Sequence, residues 1–322
     1  MAGGPGTPEL AAAVSRAGGL GAIGAAYMTP EQIIDAGSRL ARPFHINLFA
    51  GGWNRDTSGD AARMLEILAR VHATLGIDPP AVPSVGDDPF PAQLEAVMRV
   101  KPELFSFTFG IPADDDIRAV REAGIIIAGT ATTAREVRLL AKAGLDAIIV
   151  QGAEAGAHRG TFSGKFEDAM VPLLDLLEQA SCETSLPLIA AGGLMDGRDI
   201  AAVLRRGAVA ASLGTAFLAT PESGAAQAYK EALMHATSAR SVITRAFSGR
   251  PARGLANEFH GMVDEAAILP YPLQNALTRP MRNAAARRGE AGFMSLWAGT
   301  GVSRIRSMPA ADLVAQLVAE MQ

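Results

Sequence analysis

Residues 123–150, AGIIIAGTATTAREVRLLAKAGLDAIIV, spell out the repeating unit of the chain. It reads as glycine, apolar run, helix, glycine, apolar run. Gly124 and Gly144 each follow a small residue at the end of helical sequence. Glycine there supplies the left-handed conformation that turns the chain into the next strand. Ile125 to Ala128 and Ala147 to Val150 are continuous apolar runs, the pattern of parallel strands covered by helices, and Thr133 to Ala143 between them is helical. Strand, helix and strand with glycines about 20 residues apart make a parallel β/α unit.

The same punctuation recurs on either side. Ala17-Gly18-Gly19 precedes Leu20-Gly21-Ala22-Ile23-Gly24, and Arg206-Gly207 precedes Ala208-Val209-Ala210-Ala211. Further strands are expected at His45 to Phe49, Leu104 to Thr108 and Leu188 to Ala191, with Val209 to Leu213 the last. An eighth strand should precede the helix Glu9 to Ala17, where only Met1 to Gly4 stand. The expected fold is therefore α/β, a (β/α)8 TIM barrel whose first strand is truncated. Two stretches break the rhythm. Residues 49–104 hold a helix (Asp60 to Leu75), a Pro-rich strand-like piece (Pro79 to Val85) and another helix, and the chain beyond Thr220 is helical and Pro-interrupted to about Arg304. These predict a smaller, mainly helical capping domain from 51–102 and 222–305, on a barrel of 1–50 and 103–221. Residues 306–322 form a C-terminal amphipathic helix.

Composition narrows the function classes. Of 322 residues 49% are hydrophobic and 19% charged, enough apolar chain for a sizeable core, and the net charge of −4 speaks against a nucleic-acid partner. Cys182 is the single cysteine, so an intrachain disulfide and a Cys-based metal site are excluded, and no His/Asp/Glu spacing suggests a metal. The start has no basic, apolar secretory pattern, and no run reaches the ~18–20 apolar residues of a membrane span. A soluble, cytoplasmic protein is the expectation.

The strand ends carry the chemistry. Ala190-Ala191-Gly192-Gly193-Leu194 closes one strand and Ser212-Leu213-Gly214-Thr215 closes the next. In a barrel these are the last two β/α loops, where backbone N–H groups commonly hold a phosphate and glycine permits close approach. Gly19-Leu20-Gly21-Ala22-Ile23-Gly24 matches the dinucleotide fingerprint G-x-G-x-x-G, but it follows a helix and is itself the strand, so it does not qualify. His158 follows the strand Ala147 to Val150 in a small-residue loop on the catalytic side, where imidazole can take a proton near neutral pH. His45 alternates with Phe44 and Ile46 and reads as a packed core residue; His72, His235 and His260 read as exposed. Asn47 shares a face with His45 and Phe49 and reads either as a packed polar residue or as an amide that meets a ligand near the top of the barrel.

With these residues in view, the chain resembles the nitronate monooxygenases, formerly 2-nitropropane dioxygenases, nearly end to end. The resemblance rests on Gly3 to Leu10 with Ala17 to Gly21, on Ala128-Gly129-Thr130-Ala131-Thr132, and on Gln151 to Gly160. Ala191-Gly192-Gly193, Leu213-Gly214-Thr215 and Leu296-Trp297-Ala298-Gly299 complete it. It implies FMN as cofactor, held by Asn47, Gln151, Gly156, the Gly192-Gly193 turn and Ser212 through Thr215, with His158 as catalytic base. The implied reaction is oxidation of an alkyl nitronate, or of a nitroalkane after loss of its α proton, by O2 to a carbonyl compound and nitrite. Partners are then a small molecule and O2, with a homo-oligomer open. The chain departs from the family pattern at Ala157, where a second Gly is usual, at Thr300, where Gln is common, and in the curtailed first strand. The nearest rival is an FMN-dependent NAD(P)H oxidoreductase on the same barrel, an enoyl-thioester or quinone reductase. His158-Arg159-Gly160 and Tyr271-Pro272-Leu273-Gln274-Asn275 favour the nitronate branch. An IMP-dehydrogenase-like enzyme needs a nucleophilic Cys on a catalytic loop, and Cys182 precedes a strand, at the wrong end. A non-catalytic flavin-binding barrel is the remaining alternative.

Overall fold

Helix ends written into the sequence set the frame of the molecule, whose computed structural model describes residues 2–53, 60–237 and 241–322. Helix α1 (Pro8–Arg16) begins at Thr7, whose hydroxyl accepts the Leu10 N–H at 3.0 Å, with proline in the first turn. Strand β1 (Gly21–Gly24) follows it. A Cβ on Gly21 would stand 1.9 Å from the Ala11 carbonyl oxygen, so this glycine lets α1 lie directly on β1. That packing role accounts for Gly21 within the glycine-rich segment Gly19 to Gly24.

The parallel strands continue as β2 (Phe44–Phe49), β3 (Leu104–Thr108), β4 (Ile126–Ala131) and β5 (Ala147–Gln151). After a two-residue strand β6 (Ala157–His158), β7 (Leu188–Ala191) and β8 (Ala210–Ser212) complete the sheet, in the order β1-β2-β3-β4-β5-β7-β8. Seven strands thus curl into a TIM-barrel-like α/β fold. Of the expected first strand, Ala2 makes one parallel bridge to Gly24 beside β1. The helices between strands are α2 (Pro30–Ser38), α5 (Asp114–Glu122), α6 (Ala134–Lys142), α7 (Leu173–Glu183) and α8 (Gly197–Arg205). α6 starts at Thr133, whose hydroxyl accepts the Glu136 N–H, and ends before Gly144 at φ +76°.

Alternation along the strands separates two surfaces. Phe44, Ile46, Leu48, Phe105, Phe107, Ile127, Ile148 and Val150 point outward into the main core beneath the helices. The inward face is different: His45, Asn47, Ser106, Thr108, Thr130 and Gln151 line a cavity. A barrel interior is usually filled by layers of branched apolar side chains. Small polar residues here leave it open toward the C-terminal ends of the strands.

The second body differs from expectation in three ways. Its core joins α3 (Ala62–Thr74) through Met64, Leu68 and Val71 to α11 (Leu273–Arg288) through Leu277 and Met281, with Phe247, Phe259 and Leu296 between. First, α4 (Phe90–Val100), expected in the cap, buries Phe90, Leu94 and Val97 in the barrel core. Second, Pro79 to Val85 forms no strand; an extended segment without a partner has no ladder to join. Third, the mainly helical cap also carries strands β9 (Ser241–Thr244) and β10 (Ala252–Leu255), which form an antiparallel sheet in the order β6-β10-β9. The remaining cap helices are α9 (Gln227–Met234) and α10 (Glu258–Met262), and the C-terminal α12 (Ala310–Ala319) packs on α1 and α8. Among the described residues no helix is long and apolar enough to cross a membrane, and no cluster of three His, Cys, Asp or Glu residues could hold a metal ion. His72, read as exposed, is 3% exposed, with Nδ1 2.6 Å from the Asp78 carbonyl oxygen.

Candidate active site

The cavity at the C-terminal ends of the strands has a volume of about 600 Å³, within the range of about 300–1,000 Å³ that small-molecule and cofactor sites occupy. Its floor is a chain of hydrogen bonds across three strands. Asn47 Nδ2 donates to Ser106 Oγ at 2.7 Å and reaches Thr108 Oγ1 at 3.4 Å, while Thr108 and Thr130 hydroxyls meet at 3.2 Å. His45 Nε2 lies 2.7 Å from Ser106 Oγ. His45 therefore lines the cavity rather than the apolar core, a correction that follows from its sharing an inward face with Asn47. Asn47 uses its NH2 on its neighbours; among the described residues its carbonyl oxygen takes no hydrogen bond and remains for a ligand. Gln151 pins the next loop, donating to the His158 carbonyl oxygen at 3.0 Å and accepting the Gly160 N–H at 2.8 Å.

His158 belongs to β6 rather than to an irregular loop. β6 pairs with β10, His158 opposite Ala252, so the cap sheet fixes the backbone of this histidine over the barrel mouth. Ala157 before it holds φ +63°, a left-handed conformation that a Cβ disfavours. This explains why glycine suits the position. The imidazole lies between Phe49, Phe109 and Trp297, with centroid separations of 6.1, 5.8 and 5.6 Å. Its Nε2 is 2.8 Å from Ser248 Oγ.

Arg159, next in sequence, is 1% exposed and donates to the carbonyl oxygens of Gly152, Gln151 and Ala169. It ties the end of β5 to the loop ahead of α7. Arg250 stacks over Phe109, its guanidinium carbon 3.8 Å from the ring centroid, and Arg279 and Arg282 stand in the cavity wall. Among the described residues that wall contains no carboxylate. Burial, with Arg250 and Arg282 adding to it, pushes the His158 pKa down to about 3, and burial brings His45 down to about 4. Both imidazoles are neutral near pH 7. Burial raises the phenols of Tyr27, Tyr229 and Tyr271, so these stay protonated.

The expected cofactor residues fall into two groups. Asn47, Gln151, Gly156, Ser212, Leu213 and Gly214 line the cavity together with His158. Gly192, Gly193 and Thr215 stand behind the wall. Gly192 and Gly193 have φ of +128° and +71°, and a Cβ on Gly193 would meet Glu154 Cβ at 2.8 Å. Thr215 Oγ1 accepts the Gly299 N–H at 3.0 Å. Gly156 and Gly299 are there for close packing: a Cβ on Gly156 would lie 2.5 Å from the Gly299 nitrogen. The sequence reading missed Ser106, Thr108 and Thr130, although their alternation with Phe105, Phe107 and Gly129 marks an inward face. It also missed Ser248, Arg250 and Arg282, for which no local pattern exists.

A flavin fits this site. The cavity has the required volume, its mouth exposes the small residues Ser212 and Gly214 at the end of β8, and its charged wall residues are cationic. A phosphate and an electron-rich ring system meet no buried acid there.

Residues 1–320 match the family model described as nitronate monooxygenase. The chain is 40% identical to the nitronate monooxygenase of Pseudomonas aeruginosa, over 98% of this chain and 93% of that protein. It is also 40% identical to that of Paraburkholderia phytofirmans, over 98% and 89%. Among solved structures, nitroalkane oxidase from Streptomyces ansochromogenes superimposes with a TM-score of 0.91 at 42% identity, covering 100% of this chain and 93% of that one. FabK from Thermotoga maritima is more distant, with a TM-score of 0.76 at 28% identity over 100% and 90%.

Proposed function

The chain belongs to the nitronate monooxygenase family, and from that premise we propose that it binds FMN in the barrel cavity and that His158 is the base of the reaction. The reaction is oxidation of alkyl nitronates, and of nitroalkanes after loss of the α proton, by O2 to carbonyl compound and nitrite. The observation that carries the assignment is the composition of the wall. Among the described residues it offers no carboxylate, and its two imidazoles differ in setting. His45 lies deep in β2 against Ser106, whereas His158 stands at the mouth among aromatic rings.

Asn47, Gln151, Gly156 and Ser212 to Gly214 hold the cofactor, with Gly192, Gly193 and Thr215 supporting them from behind. Bound FMN supplies electron acceptance from the nitronate and reaction with O2. The protein does the rest. Phe49, Phe109, Tyr271 and Trp297 exclude water around the substrate. His158 takes the α proton of a nitroalkane, and the C–H electron pair remains on the substrate as a nitronate. Arg250 and Arg282 disfavour the imidazolium that results, but the same charges stabilise the nitronate beside it, so the two effects oppose one another. The cap, built from α3 and the described residues of 222–305, forms the substrate side of the site.

The test is the absorbance spectrum of the purified protein, recorded before and after anaerobic addition of ethyl nitronate and then of NADH. A flavin spectrum bleached by the nitronate supports the proposal. Bleaching by NADH alone selects the reductase reading, and a colourless protein that cannot be loaded with FMN overturns both.

A further inference from the structure

Ser248 is a buried hydroxyl outside the cavity wall, and the role given to it below rests on the reading of His158 as base. Ser248 is 1% exposed and sits in a turn fastened to α11. Gln274 Nε2 donates to the Ala246 carbonyl oxygen at 2.5 Å, and the Thr278 hydroxyl donates to that of Phe247 at 2.6 Å. Gly249 has φ +82°, and a Cβ there would lie 2.4 Å from the Leu269 carbonyl oxygen. The turn has little room to shift.

Three contacts converge on Ser248 Oγ. It donates to the Arg250 carbonyl oxygen at 3.2 Å, accepts the Arg250 N–H at 3.3 Å, and lies 2.8 Å from His158 Nε2. A hydroxyl has one proton and two lone pairs. The carbonyl can only accept, and the backbone N–H can only donate. All three contacts are hydrogen bonds in one arrangement alone: the serine proton on the Arg250 carbonyl, and both lone pairs filled by the Arg250 N–H and by a proton on Nε2.

We propose that Ser248 is a positioning residue that holds the His158 imidazole as its Nε2–H tautomer, leaving the Nδ1 lone pair to take the substrate's α proton. Nε2 faces a residue outside the cavity, so Nδ1 is the ring nitrogen left for the cavity that His158 lines. When the α proton moves to Nδ1, the C–H electron pair stays with the nitronate. Nε2–H continues to donate to Ser248, and the ring keeps its orientation while it is charged. The logic is that of a base oriented by a third group, with a hydroxyl in place of the usual carboxylate.

Nitrogen-15 NMR of histidine-labelled holoprotein at pH 7 reads the tautomer directly, with the His158 signals identified by their loss in His158→Asn. Expected are a protonated Nε2 and an unprotonated Nδ1 in the wild type. In Ser248→Ala the two signals should move toward each other as the tautomers mix. There kcat/KM for nitroethane should fall about tenfold, the scale of one lost hydrogen bond, while turnover of preformed ethyl nitronate changes less than about threefold. A wild-type ring protonated on Nδ1 overturns the proposal even if the variant fails to fold. So does a Ser248→Ala protein with unchanged signals and unchanged nitroethane turnover. If His158→Asn impairs both substrates equally, the base assignment itself has failed; if it spares the nitronate while Ser248→Ala does nothing, only this inference has.

Discussion

Replacing His158 by Asn removes the proton acceptor while leaving a polar side chain that can still face Ser248. The expected magnitude comes from the wall of the cavity. With no carboxylate there among the described residues, the only other neutral base is His45. That imidazole sits two residues before Asn47 in β2, about 7 Å further from the mouth along the strand, and its Nε2 is committed to Ser106. It cannot reach a carbon placed at His158, so among the described residues lining the cavity there is no substitute base. A positioned general base contributes about 10²- to 10⁴-fold, or roughly 3–5 kcal/mol of barrier. Nitrite release and oxygen uptake with nitroethane should therefore show kcat/KM reduced by about 10²- to 10⁴-fold. Ethyl nitronate prepared beforehand has already lost the proton, and its turnover should fall by less than about tenfold, the scale of lost contacts with the ring. Equal losses on the two substrates, or small losses on both, would remove His158 from the role of base.

Three further outcomes follow from the geometry. Ala157→Gly relieves a left-handed residue that costs about 1–2 kcal/mol, against about 0.4–1 kcal/mol of added chain entropy in the unfolded state, so a net gain of about 0.5–1 kcal/mol should appear in urea unfolding. Arg159→Met removes the guanidinium from the Gly152, Gln151 and Ala169 carbonyls, of which Gly152 keeps the Ala155 N–H, and should destabilise the fold by about 3 kcal/mol, read from the same measurement. His158 and His45 titrate in the folded chain at about 3 and about 4, below the ordinary 6.5. Between pH 6.5 and 4 the unfolded chain binds more protons, so stability is fully present above about 6.5 and declines as acid is added; urea midpoints at pH 7 and pH 5 should differ less in His158→Asn than in the wild type.

The parallel β/α rhythm was legible in the order of residues alone, because each of its signals is local. A glycine after a helix, an apolar run and a helical stretch declare themselves within about 20 residues, as Gly124 to Val150 do. The inward face was half legible: Asn47 stood out, but His45 read as core because alternation gives two faces without saying which one is filled. Only the curl of the sheet decided that the face of His45, Ser106 and Thr130 encloses a cavity. Pro79 to Val85 shows the converse, since an extended run becomes a strand only when a partner meets its N–H and C=O groups. β9 and β10 are four residues each, too short for a periodic signal, and they exist because they pair with each other and with β6. His158 was identified from its neighbours in sequence, whereas the hydroxyl that orients it lies 90 residues away. Ring orientation, charge environment and hydrogen-bond partners depend on through-space distances of a few ångströms, and those belong to the folded chain rather than to the order of its residues.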